Sequence, residues 1–252
     1  MRPEWQVSSF GKNRIVIEKK AKRTVNAEVY QKALQWLAQT KGKDVYFVVV
    51  GAMDGVAFDP ILSRYIKKFG WSGLFVEPLP DLCEALRRNY SAHPNAAIEN
   101  SAIAELQGRR KFWRTPRDLA LDGTLPRWAE GIGSLHQDRN ALAWESIRPF
   151  VIETEVECDT LANVFERHGV IRVDLLQIDA EGHDWMVLSQ FDILRYSPAV
   201  ICLEMNLLPA REKEAVRKRI SANGYTWVED VDLIASKPNV ITRTDVWAAS
   251  QT

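Results

Sequence analysis

The segment Val45–Pro78 constrains the fold of this chain more than any other part of it. The apolar run Val45–Val50 ends at Gly51, a helical pattern follows, and a second apolar run, Leu74–Val76, ends at Glu77. This order predicts a β-strand, a glycine turn, a helix and a parallel strand with an acid at its tip. It is typical of a nucleotide or nucleoside site at the carboxyl edge of a parallel sheet.

Length and composition limit the class of protein. With 252 residues, of which 46% are hydrophobic, the chain can bury the core of one larger domain. Its 33 basic and 33 acidic residues balance, so charge gives no support for a nucleic-acid partner. The apolar runs are shorter than the ~20 residues of a membrane helix, and the polar N-terminus lacks a signal-peptide pattern. We therefore expect a soluble, cytoplasmic protein without membrane insertion, and no feature indicates its oligomeric state.

Strand and helix patterns alternate along most of the chain. We interpret residues 1–26 as an N-terminal arm and residues 27–252 as one domain. A third strand is predicted over Asn95–Ile103, and Tyr225–Val228 with Leu233–Ser236 forms a final antiparallel pair. The pattern predicts an α/β fold, with a doubly wound, Rossmann-like, seven-stranded and mostly parallel sheet that ends in this antiparallel pair.

Residues 106–150 interrupt the alternation. The stretch is rich in Arg, Trp, Gly and Pro, and it contains Trp113, Trp128 and Trp144, which argue against disorder. A loop-rich insertion of this length is usually functional. We expect it to act as a lid over the acceptor of a reaction.

The glycine turn after the first strand indicates a ligand without phosphate. Gly51–Gly55 (GAMDG) allows a ligand to approach the backbone, but the third glycine that suits a dinucleotide pyrophosphate is absent. Glu77 is placed to accept both hydroxyls of a ribose, the alternative being a surface helix cap. Adenosylmethionine, which has adenine and ribose but no phosphate, meets both conditions.

Polar residues gather at the tips of the later strands. Asp179, Glu181 and His183 follow the predicted strand Val173–Ile178. Asp179 suits proton removal from an acceptor, and His183 suits a general base near neutral pH. The alternatives are a helix cap and a solvated loop histidine. His136 in the 106–150 insertion is another candidate base, or an ordinary surface histidine.

Glu204 and Asn206 follow the next apolar run. With Asp179 they place oxygen atoms on adjacent strand ends, where they could bind an acceptor or a hard divalent cation such as Mg²⁺. No compact ligand spacing supports the metal, so we expect none.

Taken in order, these pieces resemble the FkbM family of adenosylmethionine-dependent methyltransferases. The resemblance runs from about Val45 to Val231. It is carried by VVVGAMDG, GLFVEPLPDL, ENSAIAE, GIGSLHQDRN, ECDTLANVFERHGVIRVDLLQIDAEGHDWMVL and PAVICLEMN, and LLQIDAEGHDWMVL is the most specific piece. It implies a class I methyltransferase fold and methyl transfer, usually to a hydroxyl of a sugar or natural product.

The resemblance also implies roles for individual positions. The donor loop would be Gly51, Ala52 and Gly55, the ribose acid Glu77, and the stretch near adenine Asn100, Ser101 and Ala102. Asp179 and Glu181 match the strand-tip acids of the family, and we expect Glu181, Glu204 and Asn206 to contact the acceptor.

Two positions depart from the family pattern. Val49 stands where the family usually has an acid, and Met53 stands where it commonly has Asn. Asp54 is the candidate for the missing polar contact to the donor. These departures leave open a module that binds adenosylmethionine without catalysis. A nicotinamide-dependent oxidoreductase is a further alternative, which the missing third glycine disfavours. The acceptor is expected to be a small molecule or a glycan.

Overall fold

The structure, a computed structural model, describes residues 5–9, 15–19, 25–138 and 140–240. The predicted arm, residues 1–26, lies partly outside this range, and residues 241–252 of the predicted domain lie wholly outside it. The strands described are β1 (Trp5–Ser9), β2 (Ile15–Lys19), β3 (Tyr46–Val50), β4 (Ser72–Val76), β5 (Ala96–Glu99), β6 (Ala102–Ile103), β7 (Gly108–Arg114), β8 (Gly133–Ser134), β9 (Ile152–Asp159), β10 (Leu175–Ile178), β11 (Val200–Glu204), β12 (Thr226–Glu229) and β13 (Asp232–Ser236). The α-helices are α1 (Val25–Lys41), α2 (Pro60–Phe69), α3 (Pro80–Asn89), α4 (Arg117–Leu121), α5 (Leu161–Arg167), α6 (Asp184–Gln190), α7 (Ile193–Tyr196) and α8 (Ala210–Ala222).

A seven-stranded sheet forms the centre of the molecule, in the order β12-β13-β11-β10-β3-β4-β5. The sheet is mixed, because β13 runs antiparallel to both of its neighbours while β11, β10, β3, β4 and β5 are parallel. The α/β class and the seven strands are thus as predicted.

Helices cover both faces of this sheet. Along β3, Phe47 and Val49 belong to the core beneath α1 and α2, whereas Val48 and Val50 belong to the core beneath α5, α6 and α8. Side chains alternate between the faces of a strand, so a run of apolar residues is buried on both sides. The carboxyl ends of the parallel strands are left at one edge, between the two helical layers.

The predicted third strand, Asn95–Ile103, is in fact two strands in two sheets. β5 belongs to the central sheet, whereas β6 pairs with β9 in a separate sheet of order β6-β9-β7-β8. The chain changes direction at Asn100, whose Nδ2 donates to the carbonyl oxygens of Glu77 and Pro78 at 2.9 and 3.0 Å. The strand prediction was wrong here because it included Glu99–Ser101 in one strand, and this polar stretch is where the chain leaves the central sheet.

The stretch 106–150 is folded, with short regular elements set among its loops. β7 pairs with β9 along its whole length. Between these strands lie α4 and short 3-10 helices at Arg127–Gly131, Ala141–Ala143 and Arg148–Phe150. This part has its own apolar core, formed by Ala120, Leu125, Ala129, Ile132, Ala141, Leu142 and Ile147. We call residues 115–150 the covering segment.

Gly51 joins the ends of β3 and β10. Its φ of +80° is in the left-handed region, and a Cβ atom there would lie 1.7 Å from the carbonyl oxygen of Asp179. Gly55 has a φ of +69°, and a Cβ atom on it would meet Leu86 and Tyr90 at 2.6 and 2.8 Å. The two glycines therefore allow close packing of the protein on itself, and the predicted approach of a ligand to this turn stays a prediction.

Gly51→Ala should destabilise the fold by more than the cost of placing a side chain on a left-handed backbone. Gly42→Ala is the matched control, because Gly42 has a φ of +57° and nothing within 4 Å of a Cβ atom. We expect a loss of about 1–2 kcal/mol for the control and roughly 1–3 kcal/mol more for Gly51→Ala. Urea unfolding followed by circular dichroism measures both; equal losses would contradict the close contact.

Candidate active site

Two cavities meet at the carboxyl edge of the central sheet. The first, of about 70 Å³, lies between the strand tips and the Gly131–Leu135 stretch of the covering segment, and we call it the lid-side cavity. The second, of about 230 Å³, lies against α1 and α2, and we call it the helix-side cavity. Gly51, Met53 and Asp179 border both. These three residues form the boundary across which a larger ligand would extend.

Glu77 is a buried carboxyl at the tip of β4 and lines the lid-side cavity. It is only 3% exposed, so it is not a surface cap. Its Oε2 accepts from the backbone N–H of Met53 at 2.8 Å, and its Oε1 accepts from the N–H of Leu79 at 2.9 Å. Burial raises the pKa of Glu77 to about 7. Glu77 therefore fixes the glycine turn, and each oxygen keeps a lone pair for another donor.

The other predicted donor-binding residues separate into two groups. Ser101 and Ala102 line the lid-side cavity, whereas Ala52, Asp54 and Gly55 line the helix-side cavity. Asp54 accepts from the N–H groups of Val56 and Ala57, which closes its own turn. Asn100 lines neither cavity, and its amide supports the tip of β4 instead.

The turn after β10 brings three predicted residues to the lid-side cavity, namely Asp179, Glu181 and His183. His183 is 8% exposed, so it is not a solvated loop histidine. Its Nδ1 lies 3.0 Å from Nε2 of His136, and the two candidate bases thus form a pair across the cavity wall. Asp184, not Asp179, holds the turn, since its carboxylate accepts from the N–H groups of Ala180 and Gly182.

Burial gives the carboxyls of this edge a high affinity for protons. The Asp179 side chain is exposed at the cavities, but desolvation by the surrounding protein, followed by the charge of Glu204, raises its pKa well above the ordinary range. Burial likewise raises the pKa of Glu181 to about 7 and that of Glu204 to about 9. Such groups can accept a proton near neutral pH.

Asn206 is exposed and lines neither cavity, so the predicted trio of oxygens from Asp179, Glu204 and Asn206 does not line one site. Glu204 lines the helix-side cavity together with Asp179. Within the described ranges, no three His, Cys, Asp or Glu side chains are grouped in a way that could hold a metal ion.

Sequence reasoning missed a polar chain across the helix-side cavity. The hydroxyl of Tyr30 donates to Oε1 of Gln177, and Nε2 of Gln177 donates to Asp59. Asp59 also caps α2 by accepting from the N–H of Leu62 at 3.4 Å. The Asp-Pro pair at the start of α2 marked this cap in the sequence. Tyr30 and Gln177 are 147 residues apart, and only the tertiary fold brings them together.

Met53 was also not predicted as a wall of both cavities. It has a φ of +49°, which is uncommon for a residue other than glycine. A Cβ atom on Gly131 would lie 1.6 Å from its Cε, so the Met53 side chain packs directly against the backbone of the covering segment. Strained backbone of this kind occurs often at functional sites.

The family of the chain follows from its sequence. A family model described as the methyltransferase FkbM domain matches residues 50–226, which include the tips of β3, β4, β10 and β11. The chain belongs to the FkbM methyltransferase family. Among curated proteins, no sequence matches it significantly.

Solved structures resemble this FkbM domain only distantly. A methyltransferase FkbM from Methylobacillus flagellatus KT is 11% identical with a TM-score of 0.45, over 77% of this chain and 44% of that one. A ribosomal protein L11 methylase from Lactobacillus delbrueckii subsp. bulgaricus is 11% identical with a TM-score of 0.41, and the match covers 83% of this chain and 79% of that one. The CMeT domain of the citrinin polyketide synthase is 13% identical with a TM-score of 0.44, and the match covers 85% of this chain and 54% of that one. This chain therefore spans less than half of the first structure, and scores this low carry no argument about function.

The helices of this FkbM domain that the structure describes are all too short or too polar to cross a membrane.

The buried carboxyls predict how stability depends on pH. Burial places the pKa of Glu77 and Glu181 at about 7, of Asp184 and Asp232 at about 6, and of Glu204 at about 9. All are raised, so the folded state retains protons that the unfolded state releases, and the free energy of unfolding should fall from about pH 5 to about pH 9. Urea unfolding at several pH values measures this fall.

The variant Glu204→Gln tests the contribution of one of these carboxyls to the pH dependence of stability. Above about pH 8 the other four have released most of their protons, so Glu204 and the neighbouring Asp179, whose pKa is also raised, should set the slope, with at most about 1.4 kcal/mol per pH unit for each group. The variant should flatten this part of the profile and leave the part below pH 6 nearly parallel to that of the wild type. An unchanged slope between pH 7 and 9 would show that Glu204 is ionised in the folded protein.

Proposed function

We propose that this protein is an adenosylmethionine-dependent methyltransferase that methylates a hydroxyl group of a sugar or natural-product acceptor. The observation that carries the proposal is the position of Asp179, a carboxyl with a raised pKa at the boundary between the two cavities. In this position one group can face a donor bound on one side and an acceptor bound on the other. Family membership supplies the reaction class.

The lid-side cavity has the chemistry that a nucleoside requires. Its walls are largely apolar and include Val76, Ile103, Phe112, Leu135 and Val187. Glu77 stands on the same wall with unused lone pairs that suit the two hydroxyls of a ribose. Adenosylmethionine therefore fits these residues, with Glu77 on the ribose and the apolar walls with Ser101 and Ala102 around the adenine.

The combined volume of the two cavities is at the lower end of the range for small-molecule sites, about 300–1,000 Å³. Met53 stands between them, and a methionine side chain is flexible enough to repack around a ligand.

When bound, the donor supplies a methyl group on a positively charged sulfur. The acids Asp179 and Glu181 line this end of the cavity, and a cation bound beside them would favour their ionised forms. Asp179 would take the proton of the acceptor hydroxyl on its carboxylate, which burial and neighbouring acids make more basic than an ordinary aspartate. The covering segment would exclude water from the same space.

The helix-side cavity supports an acceptor that carries no negative charge. Its carboxyl groups come from Asp54, Asp59, Asp179, Glu204 and Asp232. Among the described residues that line it there is no Lys, Arg or His, so a phosphate or carboxylate of an acceptor would meet no opposite charge. Carboxylate oxygens are good acceptors for the hydroxyl groups of a sugar.

Asp179→Asn separates binding from catalysis. The variant keeps the shape of the side chain but not its ability to take a proton, so turnover should fall about 10²–10⁴-fold. Transfer of a radiolabelled methyl group to a panel of hydroxylated acceptors measures turnover, and calorimetry with adenosylhomocysteine measures binding. Adenosylhomocysteine affinity should change by less than about threefold, since no charge-paired contact is removed.

Asp122→Asn in an exposed turn is the control for this experiment and should match the wild type in both assays. Full activity of Asp179→Asn would remove Asp179 from the mechanism. Binding of adenosylhomocysteine without methyl transfer to any acceptor would favour the non-catalytic binding module instead.

A further inference from the structure

We infer that Asn140 is a positioning residue, which holds the Glu181 carboxylate in place at the wall of the lid-side cavity. The inference rests on the proposed function, because it gives Asn140 a task in that same site. Nδ2 of Asn140 donates to Oε2 of Glu181 at 3.1 Å, and its Oδ1 accepts from the N–H of Leu142 at 3.0 Å. Asn140 is 3% exposed. With both ends of the amide engaged and no room to turn, its N–H is fixed toward Glu181.

The same stretch of chain also holds the backbone of Glu181. Oγ of Ser134 donates to the carbonyl oxygen of Glu181 at 3.0 Å. Glu181 has a φ of +51°, a left-handed conformation that costs about 1–2 kcal/mol in a residue with a side chain. Such a conformation persists only where its surroundings impose it. Ser134 and Asn140 thus fix the backbone and the carboxylate of Glu181.

The hydrogen bond from Asn140 opposes the other influences on Glu181. Burial and the charge of Asp184 raise its pKa to about 7, whereas the Asn140 donor lowers it. The titratable groups around it are Asp179 and Asp184 in the same turn, His183 beside them, and Glu204 at the tip of β11. Without the Asn140 donor, Glu181 would face mainly other acids, so a proton would remain on it to higher pH.

Asn140→Asp distinguishes positioning from a purely structural role. An aspartate keeps the size of the side chain and the acceptor for the Leu142 N–H, but it places an oxygen where the donor was. Gln137→Glu is the matched control, because it adds the same negative charge at an exposed position in the same stretch. Asn140→Ser is a neutral variant that keeps an acceptor for Leu142 but is too short to reach Glu181.

The first readout is the pH dependence of kcat/KM. For Asn140→Asp the acidic limb should move to higher pH by about one unit or more, and for Asn140→Ser by less in the same direction. Gln137→Glu should superimpose on the wild type. A uniform loss of activity with an unmoved limb in Asn140→Asp, or an equal shift in Gln137→Glu, would overturn the inference.

The second readout does not depend on activity and is the free energy of unfolding between pH 5 and 9. A higher pKa for Glu181 in the folded state means that stability falls more steeply with pH in Asn140→Asp than in Gln137→Glu. Glu181→Gln, added to both variants, should remove that difference. A difference that survives Glu181→Gln would overturn the inference. Failure to bind adenosylhomocysteine would contradict the proposed function alone, since the unfolding comparison still decides the role of Asn140.

Discussion

The close contact between Gly51 and the carbonyl of Asp179 is the constraint on which the rest of the site depends. The N–H of Gly51 donates to the carbonyl oxygen of Val76 at 2.9 Å, and the N–H of Asp179 donates to the carbonyl oxygen of Val50 at 2.9 Å. Backbone hydrogen bonds therefore continue across the tips of β4, β3 and β10 beyond the strands themselves. Since only glycine fits against the Asp179 carbonyl, this contact fixes the backbone from which the Asp179 side chain reaches the boundary between the two cavities.

A set of buried acids then gives this edge its chemistry. Each hydrogen bond that Glu77 accepts ties it to a backbone group, so the acid that suits a ribose also holds the loop in front of it. Desolvation of Glu77, Asp179, Glu181 and Glu204 favours their protonated forms. Such groups reduce stability as the pH rises, and they can hold or release protons near neutrality. The same desolvation thus has a cost for the fold and a use in proton transfer.

Sequence reasoning located the strand tips because long apolar runs and the parallel arrangement are properties of local pattern. Strand β7 was not predicted, because charged residues interrupt its apolar pattern. Arg109 and Lys111 form ion pairs with glutamates of β9 on an exposed face of the sheet. The histidine pair was predicted only as two separate candidates, since His136 and His183 lie 47 residues apart and meet through tertiary structure. No local sequence pattern marked Asn140, because its proposed role depends on Glu181, which only the fold brings into contact with it.

The covering segment combines an apolar core of its own with contacts to the strand tips. Its apolar core is separate from the cores of the central sheet, and its buried Glu130 is paired with Arg117 and Arg127 of the same segment. Its described contacts with the strand-tip turn, in contrast, are polar and come from Ser134, His136 and Asn140. Net hydrogen bonds contribute only about 0.5–1.5 kcal/mol each, whereas a folded core is lost or kept as a whole. The segment is also held by apolar contacts, because Met53 packs against Gly131, and Phe112 and Leu79 pack against Gly133. The lid-side cavity is therefore enclosed by both polar and apolar contacts, and the polar ones also position Glu181.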